Sequence, residues 1–423
     1  MVEQTADLVI IGAGAAGLMA GIWAGRTAPG QRILILDGAG KLGAKILVSG
    51  GGRCNVTHDE VSADAYAGSS RNAINKVLRQ FDAAQTVAFF RELGVTLKRE
   101  ETGKLFPTTD SAHTVLAALL AGARQAGVTV RHPYRVERVE KTAVAFQLSG
   151  AWGTLAARRL ILATGGQSLP KSGSDGHGYR LAQALGHSLT PRLFPALVPL
   201  TLPEGHFIRD LSGVTLPARL TLWNGRSHKL AAFTDSTLCT HFGLSGPAVL
   251  DISRYFLAAQ ADDPASQLTI NWLPAMPPEQ LERDLQTLTK MSIGRYLRQH
   301  LPERLGVALC QVVGVDGATP GHQLARVGRK GLVTAVTQLP LPISGHRGYN
   351  VAEVTAGGVP LAELHLNNMA SRLCPGLYLC GEICDVDGRI GGYNFQWAWS
   401  SGYLAGKAAG AEAAPGVVPD ANP

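Results

Sequence analysis

Six cysteines in 423 residues (Cys54, Cys239, Cys310, Cys374, Cys380 and Cys384) are too few and too scattered for the disulfide framework of a small secreted domain. No paired CxxC motifs and no His/Cys cluster at zinc spacing occur, so no metal site is expected. Long apolar runs are also missing. The run Leu8–Ile11 is short and ends at glycine, and the residues before it form neither a basic n-region nor a cleavage site. The expectation is therefore a chain with no signal peptide and no membrane partner, with the cytoplasm as the default compartment. Charged residues make up 17% and hydrophobic residues 45%, a globular balance that excludes disorder. The length exceeds what one core usually holds, which implies more than one domain. The formal charge of +7 is mildly basic; an anionic substrate or nucleic acid could use it, but such an excess more often solubilises a surface.

Glycine is plentiful, with 50 residues, and much of it falls in clusters. Clustered glycine points to backbone lying close to a ligand. The first cluster follows Leu8–Ile11 directly, as Gly12-Ala13-Gly14-Ala15-Ala16-Gly17, and precedes a small-residue helical stretch from Leu18 to Arg26. A second strand-like run, Arg32–Leu36, ends at Asp37. This strand–turn–helix–strand unit is the context in which a GxGxxG fingerprint has mechanical meaning. Gly12 allows the tight turn, Gly14 lets backbone approach a pyrophosphate, and Gly17 lets helix and strand pack closely. The helix N-terminus supplies N–H donors and partial positive charge. Asp37, twenty residues after Gly17, stands where an acid takes ribose hydroxyls, which favours FAD or NAD over a 2′-phosphate. Spacing alone does not choose between those two.

Further along, residues 41–58 read as a basic, glycine-rich loop, and helical patterns cover 70–93 and 110–126. Strand candidates are Val128–His132, Arg135–Glu140, Ala143–Leu148 and Leu160–Ala163, the last running into Thr164-Gly165-Gly166. From Pro191 the texture changes to proline-punctuated alternating runs such as Arg219–Trp223, then to helical spacing over 278–312. Near Asn350 the glycine-rich text returns, with a strand-like run at Gly376–Cys380, then Gly381-Glu382 and a small-residue helix over Ala398–Ala409. The last dozen residues read as a frayed tail. Ligand-binding texture at both ends with a different texture between them implies one nucleotide-binding domain (1–190 and 345–423) interrupted by a β-rich insert (191–275 and 320–344) that carries a helical subdomain (276–319).

FAD is longer than one Rossmann unit, so it needs contacts from distant parts of a chain. The segments GAKILVSGGGRCN, ATGGQSLPKSGSDGHGY, THFGLSGPAVL, VTAGGV and GLYLCGEICDVDGRIGGYNFQWAWSSG occur here in that order. Together they resemble the bacterial flavoprotein family of aminoacetone-oxidase-like, or BaiN-like, NAD(P)/FAD-dependent oxidoreductases, over residues 6–410. The resemblance implies an α/β fold. It has a Rossmann-like FAD-binding domain of the glutathione-reductase type, interrupted by a β-barrel-like insert with a helical subdomain. It also implies cofactor contacts. The pyrophosphate would lie on Gly12, Gly14, Ala15, Ala16 and Gly17, and the adenosine ribose on Asp37 with Gly38 beside it. Lys45, Ser49, Gly50, Gly51, Gly52, Arg53, Cys54 and Asn55 would wrap the cofactor towards its flavin end. Val136 would offer backbone to the adenine, with Ala163, Thr164 and Gly165 covering its other side. Gly381, Glu382 and Asp387 would reach the ribityl and phosphates, and Gly391, Gly392, Tyr393 and Asn394 the isoalloxazine edge. Backbone N–H groups at that last turn suit negative charge on the N1/O2 side of reduced flavin.

Catalytic side chains are not legible. Cys54, Cys380 and Cys384 read as small packing residues, because Cys380 and Cys384 straddle a strand end and a turn instead of the helix start that lowers a thiol pKa. His241 is a candidate for the substrate side, and Tyr393 for proximity to the ring. No second strand-linked GxGxxG is visible, so NAD(P)H would act as a transient reductant without a domain of its own. Seven basic residues between Lys290 and Lys330 face only Glu303 and Asp316, either a solvated face or a site for an anion or RNA. The function expected is hydride transfer between a small organic substrate and FAD, either amine oxidation with O2 or reduction of an unsaturated or oxo compound. An RNA-modifying flavoenzyme and a non-catalytic flavin-binding protein are the alternatives.

Overall fold

Short, wholly apolar strands pay for their desolvation only when both faces are covered, and the sequence LVII followed by ILIL has no polar face to expose. In the computed structural model of the chain, which describes residues 5–411, these runs lie side by side. The framework comprises β1 (Thr5–Ile11), α1 (Ala15–Thr27), β2 (Ile33–Leu36), α2 (Ala44–Gly52), β3 (Thr129–Arg131), β4 (Gly153–Leu162), β5 (Leu377–Leu379) and α3 (Tyr393–Ala411). The strands form a parallel sheet in the order β5-β4-β1-β2-β3. Leu8, Val9, Ile10 and Ile35 at its centre have no exposed surface. At about 1.5–3 kcal/mol for each such side chain, burial and not strand propensity holds a strand as short as β2.

The N-terminal helix and the C-terminal helix pack unusually closely. A Cβ placed on Gly402, Gly406 or Gly410 would stand 2.6, 2.1 and 2.8 Å from the carbonyl oxygens of Ala16, Ala20 and Ala24. Glycine every fourth residue on α3 therefore faces alanine every fourth residue on α1. This joins the two ends of the chain in one hydrophobic core.

The described chain divides into two compact units, one running to Pro195 and resuming at Val354, the other Ala196–Glu353. In the second unit seven strands pair antiparallel in the order 339–341, 267–271, 215–223, 229–240, 243–245, 200–201, 345–346. The hairpin Thr215–Trp223 with Lys229–Thr240 is its longest pairing. Helix Pro247–Asp262 lays Val249, Ile252 and Phe256 on the core that holds Leu220, Leu222 and Trp272. Helices Pro278–Thr287, Ile293–Arg298, Glu303–Val313 and Arg326–Thr337 add Leu281, Leu297, Leu309 and Val336 to the same core.

Several local expectations shift. The helical pattern over 70–93 is two helices, Arg71–Leu78 and Ala83–Glu92. The Asp82 carboxylate accepts from Gln85 N and the Gln85 side chain accepts from Asp82 N, a capping box that starts the second helix afresh. The expected loop 41–58 contains α2, which leaves helical geometry at Ser49–Gly51, where Gly50 and Gly51 take φ of 56° and 69°. The strand expected over 135–140 forms at Arg138–Lys141, and α3 begins five residues earlier than its small-residue stretch. The tail expectation lies outside the described residues. Among the described residues no helix is long and apolar enough to cross a membrane.

Candidate cofactor site

The carboxyl ends of β1, β2, β4 and β5 converge, and their turns carry twelve of the residues singled out by motif, among them the GxGxxG fingerprint and Asp37. Gly12 (φ 106°) turns the chain so tightly against Ala163 that a Cβ would sit 2.4 Å from the Ala163 carbonyl oxygen. Gly17 is tighter still, with its absent Cβ 1.8 Å from the Gly12 oxygen. Gly381 would place a Cβ 2.8 Å from that of Ala16, so the turn after β5 also rests on the start of α1. Around Gly14, by contrast, nothing lies within 4 Å of a Cβ position. The fingerprint thus has two glycines that pack and one that opens a cradle.

Asp37 ends β2 and binds both neighbouring turns: its Oδ2 accepts from Ala13 N (2.6 Å) and its Oδ1 from Ala39 N (2.7 Å). Gly38 admits Arg135, whose Cβ would stand 3.0 Å from a Cβ there, and Tyr134 N donates to the Asp37 carbonyl (2.7 Å). The segment leading to buried Val136 is thereby held against Asp37–Gly38.

On the other side, Lys45 of α2 donates to Glu382 Oε2 (2.6 Å) and Ser174 Oγ (3.2 Å), and Glu382 Oε1 accepts from Thr355 N (3.0 Å). Thr355 Oγ1 in turn accepts from the backbone N–H groups of Gln167 and Ser168. Four segments distant in sequence are tied by this one polar network. Gly165 belongs to it, since a Cβ there would lie 2.7 Å from Ser174 Oγ.

The SGGGRCN turn leaves α2 with Gly50 against Phe106 and Asn55, while around Gly51 nothing lies within 4 Å of a Cβ position. The Arg53 guanidinium lies 4.0 Å over the Phe106 ring and pairs with Glu100 (2.6 Å). Cys54 is buried, and burial pushes its thiol up to about 12 against a weaker pull from the Ser49 side chain. Burial also raises Cys380 and Cys384, and all six cysteines are free. None of these thiols offers a thiolate near neutral pH.

At the fourth turn Gly391 and Gly392 (φ 126° and 95°) open α3. The Asn394 amide is used internally, accepting from Gly388 N (2.8 Å) and donating to Gly388 O (2.9 Å), so outward it offers backbone. Tyr66 OH donates to the Tyr393 carbonyl (2.8 Å), and the Tyr393 ring stacks on His58 with centroids 5.0 Å apart. Asp387 sits buried on the short strand Val386–Gly388, opposite Ala67. His58, Tyr66 and Lys104 escape a motif reading because strand pairing, and not sequence proximity, brings them here: Thr57–His58 with Lys104–Leu105, and Tyr66–Gly68 with Val386–Gly388.

Three buried side-chain polar atoms in this unit have no partner among the described residues: Trp23 Nε1, Asn55 Oδ1 and Thr164 Oγ1, of which the last two lie on the glycine-rich turns. A buried carbonyl oxygen without a donor costs about 1–3 kcal/mol, so Asn55 suits a ligand bearing N–H or O–H groups. Together with the open positions at Gly14 and Gly51, these residues fit FAD.

In the other unit His241 is exposed and its carbonyl accepts from Arg209 Nε (2.8 Å). The basic stretch is partly engaged. Arg298 pairs with Glu303, Arg329 lies near Glu282, and Arg304 donates to the Asp210 and Ser212 carbonyls.

A family model described as HI0933-like protein Rossmann domain matches residues 6–408. A 3-dehydro-bile acid delta(4,6)-reductase from Clostridium scindens is 35% identical over 404 residues, covering 95% of this chain and 98% of that protein. A ribosomal RNA dihydrouridine synthase from Escherichia coli K12 is 36% identical over 403 residues, covering 94% and 96%. Among solved structures, the 3-ketosteroid delta1-dehydrogenase from Sterolibacterium denitrificans superimposes with a TM-score of 0.53 at 15% identity, covering 96% of this chain and 100% of that one. That last likeness concerns the fold.

Proposed function

The chain belongs to the HI0933-like Rossmann family and is a FAD-dependent oxidoreductase, and from that premise we propose that it reduces a carbon–carbon double bond conjugated to a carbonyl group. One observation carries this reading. The names of two relatives, each covering nearly the whole chain at about one-third identity, describe different substrates and the same bond chemistry. A 3-oxo steroid with unsaturation at carbons 4 and 6 and a uracil ring both present an alkene polarised by a carbonyl. Each product is saturated at that bond. The substrate class favoured here is a small molecule.

In this reading the Gly12–Gly17 turn and the N-terminus of α1 receive the pyrophosphate, Asp37 the ribose and the Val136 backbone the adenine. Asn55 and Thr164 supply the buried polar contacts, and the Gly391–Asn394 turn meets the isoalloxazine. When bound and reduced, FAD would supply the hydride for the β-carbon of the alkene, and a proton from solvent or protein would complete addition at the α-carbon. NAD(P)H restores the hydride by transient docking. The buried, protonated thiols leave a dithiol relay without a nucleophile.

The test follows the flavin colour without oxygen. NADH or NADPH should bleach the FAD-loaded protein, and a 3-oxo-4-ene steroid should restore the colour as the alkene is consumed. Bleaching by a primary amine, with recovery only on readmitting air, would replace this reading with amine oxidation. Recovery only with uridine-containing RNA, accompanied by dihydrouridine, would move the substrate to a polynucleotide.

A further inference from the structure

Beside the Gly391–Tyr393 turn stands a lysine, Lys104, with no acid partner among the described residues. A Cβ on Gly391 would stand 3.3 Å from Tyr393 Cε2 and 3.7 Å from both His58 Cδ2 and Lys104 Cε. Lys104 therefore closes over the turn with its aliphatic stem, beside the stacked His58–Tyr393 pair. The turn itself is rigid, braced by Asn394 on Gly388 and by the Tyr66 hydroxyl on the Tyr393 carbonyl.

Three acids of the neighbouring segments are paired with other cations. Asp59 bonds Arg99, Glu100 bonds Arg53 and Asp110 bonds Lys98. Glu101 stands exposed on the hairpin turn. Lys104 is half-buried, and among the described residues it has no acid partner. A cation partly withdrawn from water and left uncompensated is unfavourable, and it becomes favourable when an anion is brought to it.

We propose that Lys104 is the positioning cation for the reduced cofactor: its ammonium balances the negative charge that two-electron reduction leaves on the pyrimidine end of the isoalloxazine at the Gly391–Tyr393 turn. Arrival of a hydride on the neutral ring adds two electrons and one proton, so the ring gains one negative charge. A fixed positive charge beside that region favours the reduced form over the oxidised form and raises the reduction potential. The N-terminal end of α3, whose Gln396 N bonds back to the Gly392 carbonyl, adds partial positive charge in the same direction. The inference rests on FAD lying against this turn and is independent of the substrate.

Two measurements test it without any substrate: the midpoint potential by equilibration with indicator dyes, and the dissociation constant of the flavin–sulfite adduct, an anion formed on the oxidised ring. Both are made at saturating FAD on wild type, Lys104→Met, Lys104→Gln and Lys104→Arg. The Met and Gln variants should bind sulfite at least tenfold more weakly, with a potential lower by about 30 mV for each tenfold change in the two-electron equilibrium. Lys104→Arg should restore most of both. Met and Gln variants matching wild type in potential and sulfite affinity would overturn the proposal, as would an Arg variant no better than Met. A protein that reduces no conjugated alkene would defeat the substrate reading and leave both measurements standing.

Discussion

Lys45 and Glu382 lie 337 residues apart in the chain and meet in an ion pair of 2.6 Å, with Ser174 on the lysine and Thr355 N on the carboxylate. The pair locks α2, from the first glycine-rich turn, to the turn after β5. It is half-buried, so screening does not erase it, as it does for most surface pairs.

Replacing Lys45 by Met leaves Glu382 with one backbone donor in a partly dry site. The expected cost is about 1–3 kcal/mol of stability, with FAD retention weakened by about tenfold. Thermal melts with and without added FAD check it. Lys45→Arg should fall between wild type and Met. A double-mutant cycle with Glu382→Gln should return a coupling of about 0.5–3 kcal/mol.

Asp37 is expected to matter twice, through the ribose and through the N–H groups of Ala13 and Ala39. Asp37→Ala removes both acceptors and should raise the FAD dissociation constant by at least about tenfold, given about 1.5–3 kcal/mol for a charge-assisted bond. Asp37→Asn keeps one acceptor and should lose less. Fluorescence titration of FAD into apoprotein gives both values, and equal affinity for Asp37→Ala and wild type would remove the ribose role.

Gly406 tests the seam between the chain ends. A valine there must displace the Ala20 backbone, for which no relaxation of a flexible side chain substitutes. Destabilisation of at least about 3 kcal/mol, or failure to accumulate as folded protein, is expected from overpacking at backbone contact. Lys407→Ala, one residue away on the exposed face, should change stability by less than about 0.5 kcal/mol. Denaturant titration compares the two.

The thiols give a pH prediction. Burial raises the Cys54 thiol to about 12 in the folded state, so the folded chain holds that proton more tightly than the unfolded chain. Its contribution to stability is complete below the ordinary thiol range and is lost as pH rises towards about 12. Stability curves should fall across that alkaline window, and less steeply in Cys54→Ala. At pH 8, iodoacetamide should leave Cys54, Cys380 and Cys384 unmodified in the native protein while labelling them after denaturation. Rapid native labelling of Cys380 or Cys384 would reopen a dithiol mechanism.

Much of the nucleotide unit was legible because its constraints are local. The strand–turn–helix run around Gly12–Gly17 depends on residues within about thirty positions, and Gly12 and Gly17 each answer a contact that a Cβ would break, while Gly14 stands open. Where interactions of longer range or cooperative capping intervened, the reading slipped. The 70–93 pattern split at Asp82, whose capping box with Gln85 competes with helix continuation. Residues 41–58 look like a loop by glycine content, yet Ala44–Val48 form a helical turn before Gly50 and Gly51 enter the left-handed region.

By itself the sequence determined that this chain carries a dinucleotide-binding fingerprint, that segments early and late in the chain share one compact unit, and which turns carry the glycines. Those properties follow from backbone sterics and hydrophobic periodicity, which act over a few residues. Tertiary structure alone decided that Asn394 braces a turn instead of reaching outward, that Lys45 is paired, and that Lys104 stands unneutralised beside Gly391. Charge balance and burial are sums over everything that surrounds a group, and those surroundings exist only once Thr57–His58 pairs with Lys104–Leu105 and the two ends of the chain have met.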